Sequence, residues 1–112
     1  NLANLQWQLK DPAAQQTAER AFKLAPGDPL ILDTLGWILV QNAQIDAGLR
    51  HLREARLRDP ANPEIRFHLA WALAKSGRKA EARQELEAAL QSDRSFPEVE
   101  NARALRTELG AP

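Results

Sequence analysis

Apolar positions recur along the chain with helical spacing and are interrupted at regular points. Within 29–42, Leu32, Leu35, Gly36 and Leu39 fall at i, i+3, i+4 and i+7, which makes one stripe of a helix. Asp28 followed by Pro29 supplies an N-cap and the residue best tolerated in a first turn, and Asn62 followed by Pro63 repeats the signal. The breaks Asn42-Ala43-Gln44 and Ser76-Gly77 end these helices. A second helix is predicted at about 45–58, with Ile45, Gly48, Leu49, Leu52 and Ala55 on its inner face and a stop at Asp59-Pro60. Equivalent helices are predicted near 12–24, opened by Asp11-Pro12, and near 79–91. The pairs Glu19 with Lys23, Asp46 with Arg50 and Glu54 with Arg58 suit solvated helix faces.

The pattern has a period. Laid on one another at an offset of 34, residues 29–62 and 63–96 share Pro29/Pro63, Ile31/Ile65, Leu35/Leu69 and Trp37/Trp71. They also share Leu39/Leu73, Leu52/Leu86, Ala55/Ala89 and Asp59/Asp93, against roughly three identities expected by chance. Pro26 with Pro60 and Ala21 with Ala55 extend the period backwards into a truncated copy. Small residues recur too: Gly36, Ala70, Gly48, Ala82, Ala14 and Ala21 stand where paired helices must approach closely, which offsets the ~1 kcal/mol that glycine costs inside a helix. After Phe96-Pro97 the pattern narrows to one stripe of Val99, Ala102, Leu105 and Leu109, as expected of a helix that closes a stack. The expected organisation is a single all-α domain over 1–112. It divides into a partial repeat (1–28), two full repeats (29–62 and 63–96) and a capping helix (97–112).

Composition agrees with helices. Of 112 residues, 20 are Ala and 17 Leu, whereas Val, Ile and Thr total 9, too few for several strands. Fifteen basic and fifteen acidic residues cancel, which argues against a nucleic-acid partner. The absence of Cys removes disulfides and thiolate metal sites and leaves the compartment open. No run of about 18 apolar residues exists, so no direct membrane contact is expected of this segment. A start at Asn1 and the lack of any Met point to a piece of a longer chain.

A 34-residue helix-turn-helix unit with Leu-Gly in its first helix, small residues at the turn and a Pro after the second helix resembles the tetratricopeptide repeat. Departures are Leu32 and Arg66 at the family's early Trp, Leu39 and Leu73 at its Tyr, and Arg94 at its Pro. The fold this implies is a superhelix of antiparallel helix pairs. More narrowly, LDTLGWILVQNAQIDAGLRHLREA, NPEIRFHLAWALAKSGRKAEARQELEAAL and FPEVENARALRTEL resemble the C-terminal repeats of bacterial lipoproteins of exosortase (PEP-CTERM) and exopolysaccharide-export systems. That likeness implies a periplasmic or outer-membrane-associated location, and a cytoplasmic one if it fails. The lipid-modified Cys of those proteins is not in this segment.

In the repeat family the first helices line a concave wall. This implies a protein-binding groove of Leu30, Asp33, Trp37, Val40 and Gln41 from one first helix and Glu64, Phe67, Trp71 and Lys75 from the next. Gln6 and Trp7 join them from the partial copy. Tryptophans are common binding anchors, but Trp37 and Trp71 at repeat spacing equally suit packing between adjacent first helices. Asp33, Phe67, Trp37 and Trp71 occupy places where family members that grip a terminal carboxylate carry Lys and Asn, so a carboxylate clamp is not expected. The expected partner is a protein or peptide, an apolar helix or an extended segment.

Chemistry has little to stand on. His51 and His68 lack metal-ligand spacing and are expected at the surface or the groove edge. Ser76, Ser92 and Ser95 have no nucleophile-elbow sequence, and there is no phosphate-cradling glycine loop. No catalytic residue, metal or cofactor is expected. Arg50, Arg53 and Arg56 form a basic stripe, partly neutralised by Asp46 and Glu54. The competing expectation is a structural segment of a longer superhelix, or a self-associating one, because Leu2, Leu5, Ala14 and Ala18 lack an N-terminal neighbour.

Overall fold

The computed structural model describes residues 12–91 and 96–110. Among them are six helices and no strand: α1 Pro12–Leu24, α2 Pro29–Gln41, α3 Ile45–Arg58, α4 Pro63–Lys75, α5 Lys79–Leu90 and α6 Val99–Leu109. Each of α2 and α4 begins with an Asx cap and a proline. The Asp28 side chain accepts from the Leu30 N–H at 2.9 Å, and Asn62 accepts from Glu64 and Ile65 N–H at 2.9 and 3.3 Å. Each such cap is worth about 1 kcal/mol. Both helices end in the same left-handed turn, at Ala43 (φ 68°) and at Gly77 (φ 85°). The following amides, Gln44 and Arg78, donate to Leu39 and Leu73 carbonyls at 2.8 Å, which satisfies carbonyls the helix ends would leave unpaired.

The tight turns fold α3 back on α2 and α5 back on α4. In the first pair the axes meet at glycines: a methyl on Gly36 would lie 2.8 Å from Leu52 Cγ, and one on Gly48 would lie 2.4 Å from Val40 Cγ2 and 2.7 Å from the Gly36 carbonyl. In the second pair Ala70 and Ala82 take these places, both fully buried. The large side chains around the crossings, Leu32, Leu52, Ile65, Leu69, Leu73 and Leu86, are almost completely enclosed. Burying each contributes on the order of 2 kcal/mol.

Ion pairs join the second helices. Arg53 of α3 meets Glu81 of α5 at 2.8 Å, and Arg56 of α3 and Arg66 of α4 both hold Glu85, the latter at 2.9 Å. Two arginines of the expected basic stripe, Arg53 and Arg56, therefore meet the next repeat's acids, while Glu54 pairs with Arg58 at 2.8 Å. Finally α6 lays Ala102 and Leu105 over the end of the core, with Phe96 buried just before it.

Candidate binding groove

Residues of α2, α4 and α6 surround a cleft of about 310 Å³. Trp37 and Phe67 make its floor, 8% and 2% exposed, with ring centroids 6.1 Å apart. Trp71, one turn beyond Phe67, is half-buried and stands edge-on to Trp37 at 5.2 Å and 75°. Lys75 Nζ lies 4.8 Å over the Trp71 ring, and Gln41 closes the same end. These five expected groove residues come together because positions 37/41 and 67/71/75 lie on one face of successive helices.

The other expected residues lie elsewhere. Val40 is buried against Gly48 in the α2/α3 crossing, because its helix face turns toward the partner helix and not toward the cleft. Leu30 is 62% exposed in the first turn of α2 and does not line the cleft. Gln6 and Trp7 lie outside the described residues. Asp33 and Glu64 flank His68. The opposite wall, Asn101, Ala104, Leu105 and Glu108 of α6, was not anticipated, since α6 read as a cover for the core end. A wider opening of about 950 Å³ between α5 and α6 is walled by alanines and by polar side chains such as Arg83, Gln84, Glu87 and Arg106, with no aromatic. It lacks the aromatic side chains in which binding anchors are richest.

His68 departs from the surface or groove-edge position expected of it. It is 5% exposed, and its ring lies 4.2 Å from that of Trp37 with 24° between the planes. Nδ1 donates to Asp33 Oδ1 at 2.7 Å and Nε2 to Glu98 Oε1 at 2.8 Å. An ionised carboxylate only accepts, so both ring nitrogens carry protons and the ring is an imidazolium. Burial alone would lower its pKa. The charge of Asp33 and hydrogen bonds to Asp33 and Glu98 overcome this and raise it to about 10. Glu64 is pushed above the usual carboxylate range by burial, which Glu98 and Asp33 reinforce and His68 opposes. The run FHLAWALA was the available signal: a histidine inside an apolar stretch needs buried partners. His51, by contrast, stays half-exposed, edge-on to Phe22 at 4.9 Å. Its pKa is lowered by burial and by Arg50. Among the described residues no group of three His, Cys, Asp or Glu side chains could hold a metal ion.

The tetratricopeptide repeat family model matches residues 39–105, and the chain belongs to that family. It is 39% identical over 56 residues to the TPR repeat-containing protein PA4667 of Pseudomonas aeruginosa, a match over half of this chain and 9% of that protein. Its fold is that of the Yersinia enterocolitica type III secretion translocator chaperone SycD (TM-score 0.78, 23% identity, 96% of this chain and 78% of that one). It is equally like PcrH in complex with the chaperone binding region of PopD (TM-score 0.77, 20% identity, 96% and 85%). These last two likenesses are of fold.

Proposed function

We propose that this tetratricopeptide repeat domain is a protein-interaction scaffold that takes a bulky apolar side chain of a partner peptide or helix into the cleft between α2, α4 and α6. The observation that carries this reading is Trp71, half-buried at the cleft mouth, with its edge on Trp37 and Lys75 across its face. A side chain entering there meets apolar rings on two sides and the polar rim of Gln41, Asn101 and Glu108 around it. That is the arrangement of a binding anchor surrounded by groups that exclude water. PcrH, solved in complex with the chaperone binding region of PopD, supports the use of this fold for peptide capture. In this reading the domain works by binding and not by catalysis.

Selection from a random-peptide display library tests it. Trp71→Ala should weaken the selected peptides by ~2 kcal/mol or more, with a small loss of melting temperature. Trp37→Ala, which empties a buried site, should cost ~3–5 kcal/mol of folding stability. Selected peptides that bind Trp71→Ala as tightly as the original chain would refute the assignment of the cleft.

The resemblance of 32–55, 62–90 and 96–109 to export-system lipoproteins supports a finer reading, a module of a larger bacterial envelope protein linked to exopolysaccharide or protein export. Deleting the gene should then reduce exported polysaccharide or sorted protein. A second reading, self-association without a separate ligand, is favoured by Leu24, Leu30 and Leu57, which are 87%, 62% and 68% exposed. Light scattering over a concentration series separates it from the first, since only self-association raises the mass with concentration.

A further inference from the structure

His68 sits beneath the cleft and, from α4, touches two other segments. Its ring faces Trp37 of α2, its Nδ1 holds Asp33 one turn earlier in that helix, and its Nε2 holds Glu98 at the entrance of α6. The cleft has its third wall only if α6 is held in place, yet α6 contributes just two buried apolar side chains, Ala102 and Leu105, to the core. Ring position matters as well: a flat group 4.2 Å away and nearly parallel fixes the plane of Trp37, on which Trp71 leans.

We propose that the Asp33–His68–Glu98 chain is the positioning device of the groove: its imidazolium sets the Trp37 plane and ties the start of α6 to α2, so that the cleft keeps three walls. The proposal rests on the cleft being the binding site. While both carboxylates are ionised, both ring nitrogens must donate for the tie to hold, so loss of one ring proton releases one of them. The charged groups that face the ring are Asp33 from α2, Glu64 from α4 and Glu98 before α6. All three are acidic, and deprotonating His68 leaves them without the cation that separates them. The cleft should therefore loosen in alkali.

Hydrogen exchange on the full chain, followed with imidazole NMR, tests the tie without any ligand. Glu98→Gln keeps an acceptor for Nε2 but removes its charge, and should speed amide exchange in α6 by about tenfold, the difference between a charge-assisted and a neutral hydrogen bond, while the α3 amides keep their rates. Asp33→Asn provides a second variant, with the effect centred on α2. In the original chain both ring nitrogens of His68 should remain protonated at about pH 8. Trp emission should rise as the pH approaches the imidazolium's release, because an imidazolium in face contact quenches indole. His68→Gln should abolish that rise. A display-selected peptide should bind Glu98→Gln about tenfold more weakly, and should lose affinity for the original chain in alkali but not for His68→Gln. Unchanged α6 exchange in Glu98→Gln, or a neutral His68 ring at about pH 7.5, would overturn the proposal. If no peptide is selected at all, the cleft fails as a binding site, and exchange and titration still decide the tie.

Discussion

Raising the pH through the weakly alkaline range should destabilise this domain in proportion to one buried proton. In the unfolded chain His68 has its ordinary pKa of 6.5, and in the fold it is raised to about 10. The folded form therefore holds a proton that the unfolded chain has already released, and stability falls as pH rises. The contribution is fully present below 6.5 and is gone above the folded value near 10. Its full size is about 5 kcal/mol at most, and each pH unit inside the window removes up to ~1.4 kcal/mol. Two units, from about pH 7.5 to 9.5, should remove about 2–3 kcal/mol. The window is chemically quiet: the chain has no Cys and no Tyr, and the lowered pKa of His51 leaves it neutral throughout. The α-amino group titrates there as well and the lysines begin to, and both are shared with the His68→Gln control. Urea denaturation followed by far-UV circular dichroism at constant ionic strength measures the slope, and His68→Gln should flatten it. A stability constant to within about 0.5 kcal/mol across that window would refute the reasoning. The ring would then be neutral and one carboxyl protonated, the other way in which the two hydrogen bonds can be made.

Four further substitutions probe the scaffold. Gly48→Ala gains ~1 kcal/mol of helix propensity but pushes a methyl into Val40 and the Gly36 carbonyl. A net loss of ~1–2 kcal/mol is expected by chemical denaturation, and a gain would show that the helix pair opens freely. Ala43→Gly should stabilise by ~1 kcal/mol and Gly77→Ala should destabilise by a similar amount, because both positions are left-handed and space is open around Gly77; melting temperatures moving the same way in the two variants would contradict this. Glu85→Ala removes the partner of both Arg56 and Arg66 and should cost ~2 kcal/mol, discounted because the arginines are about a quarter exposed. Stability of that variant independent of salt and equal to the parent would mean the arginines find other acids.

Most of what was legible in the sequence was local, and most of it recurred. Asp28-Pro29 and Asn62-Pro63, the Leu stripes and the turns at Ala43 and Gly77 are local signals written twice, each confined to one helix and its ends. Trp37 and Trp71 could be placed on one wall for the same reason. The His68 chain has no such signature. One period from His68 stands Thr34, and one period from Asp33 stands Phe67, so neither partner repeats. Its members lie 35 and 30 residues apart and meet only after two helix pairs have stacked. Asn101, Ala104 and Glu108 were missed on related grounds. The repeat ends before them, and a helix with one apolar stripe reads as a cover whose other side has no task. The structure gives that other side a place: the stripe of α6 seals the core through Ala102 and Leu105, while the residues beside it stand across from Trp37 and Trp71. In a chain of near-copies the repeated residues build a wall that any such stack would share. The departures from the period, His68, Glu98 and the outward side of α6, set this cleft apart from the chain's own repeated wall, and under the proposed reading specificity for a partner is to be tested there.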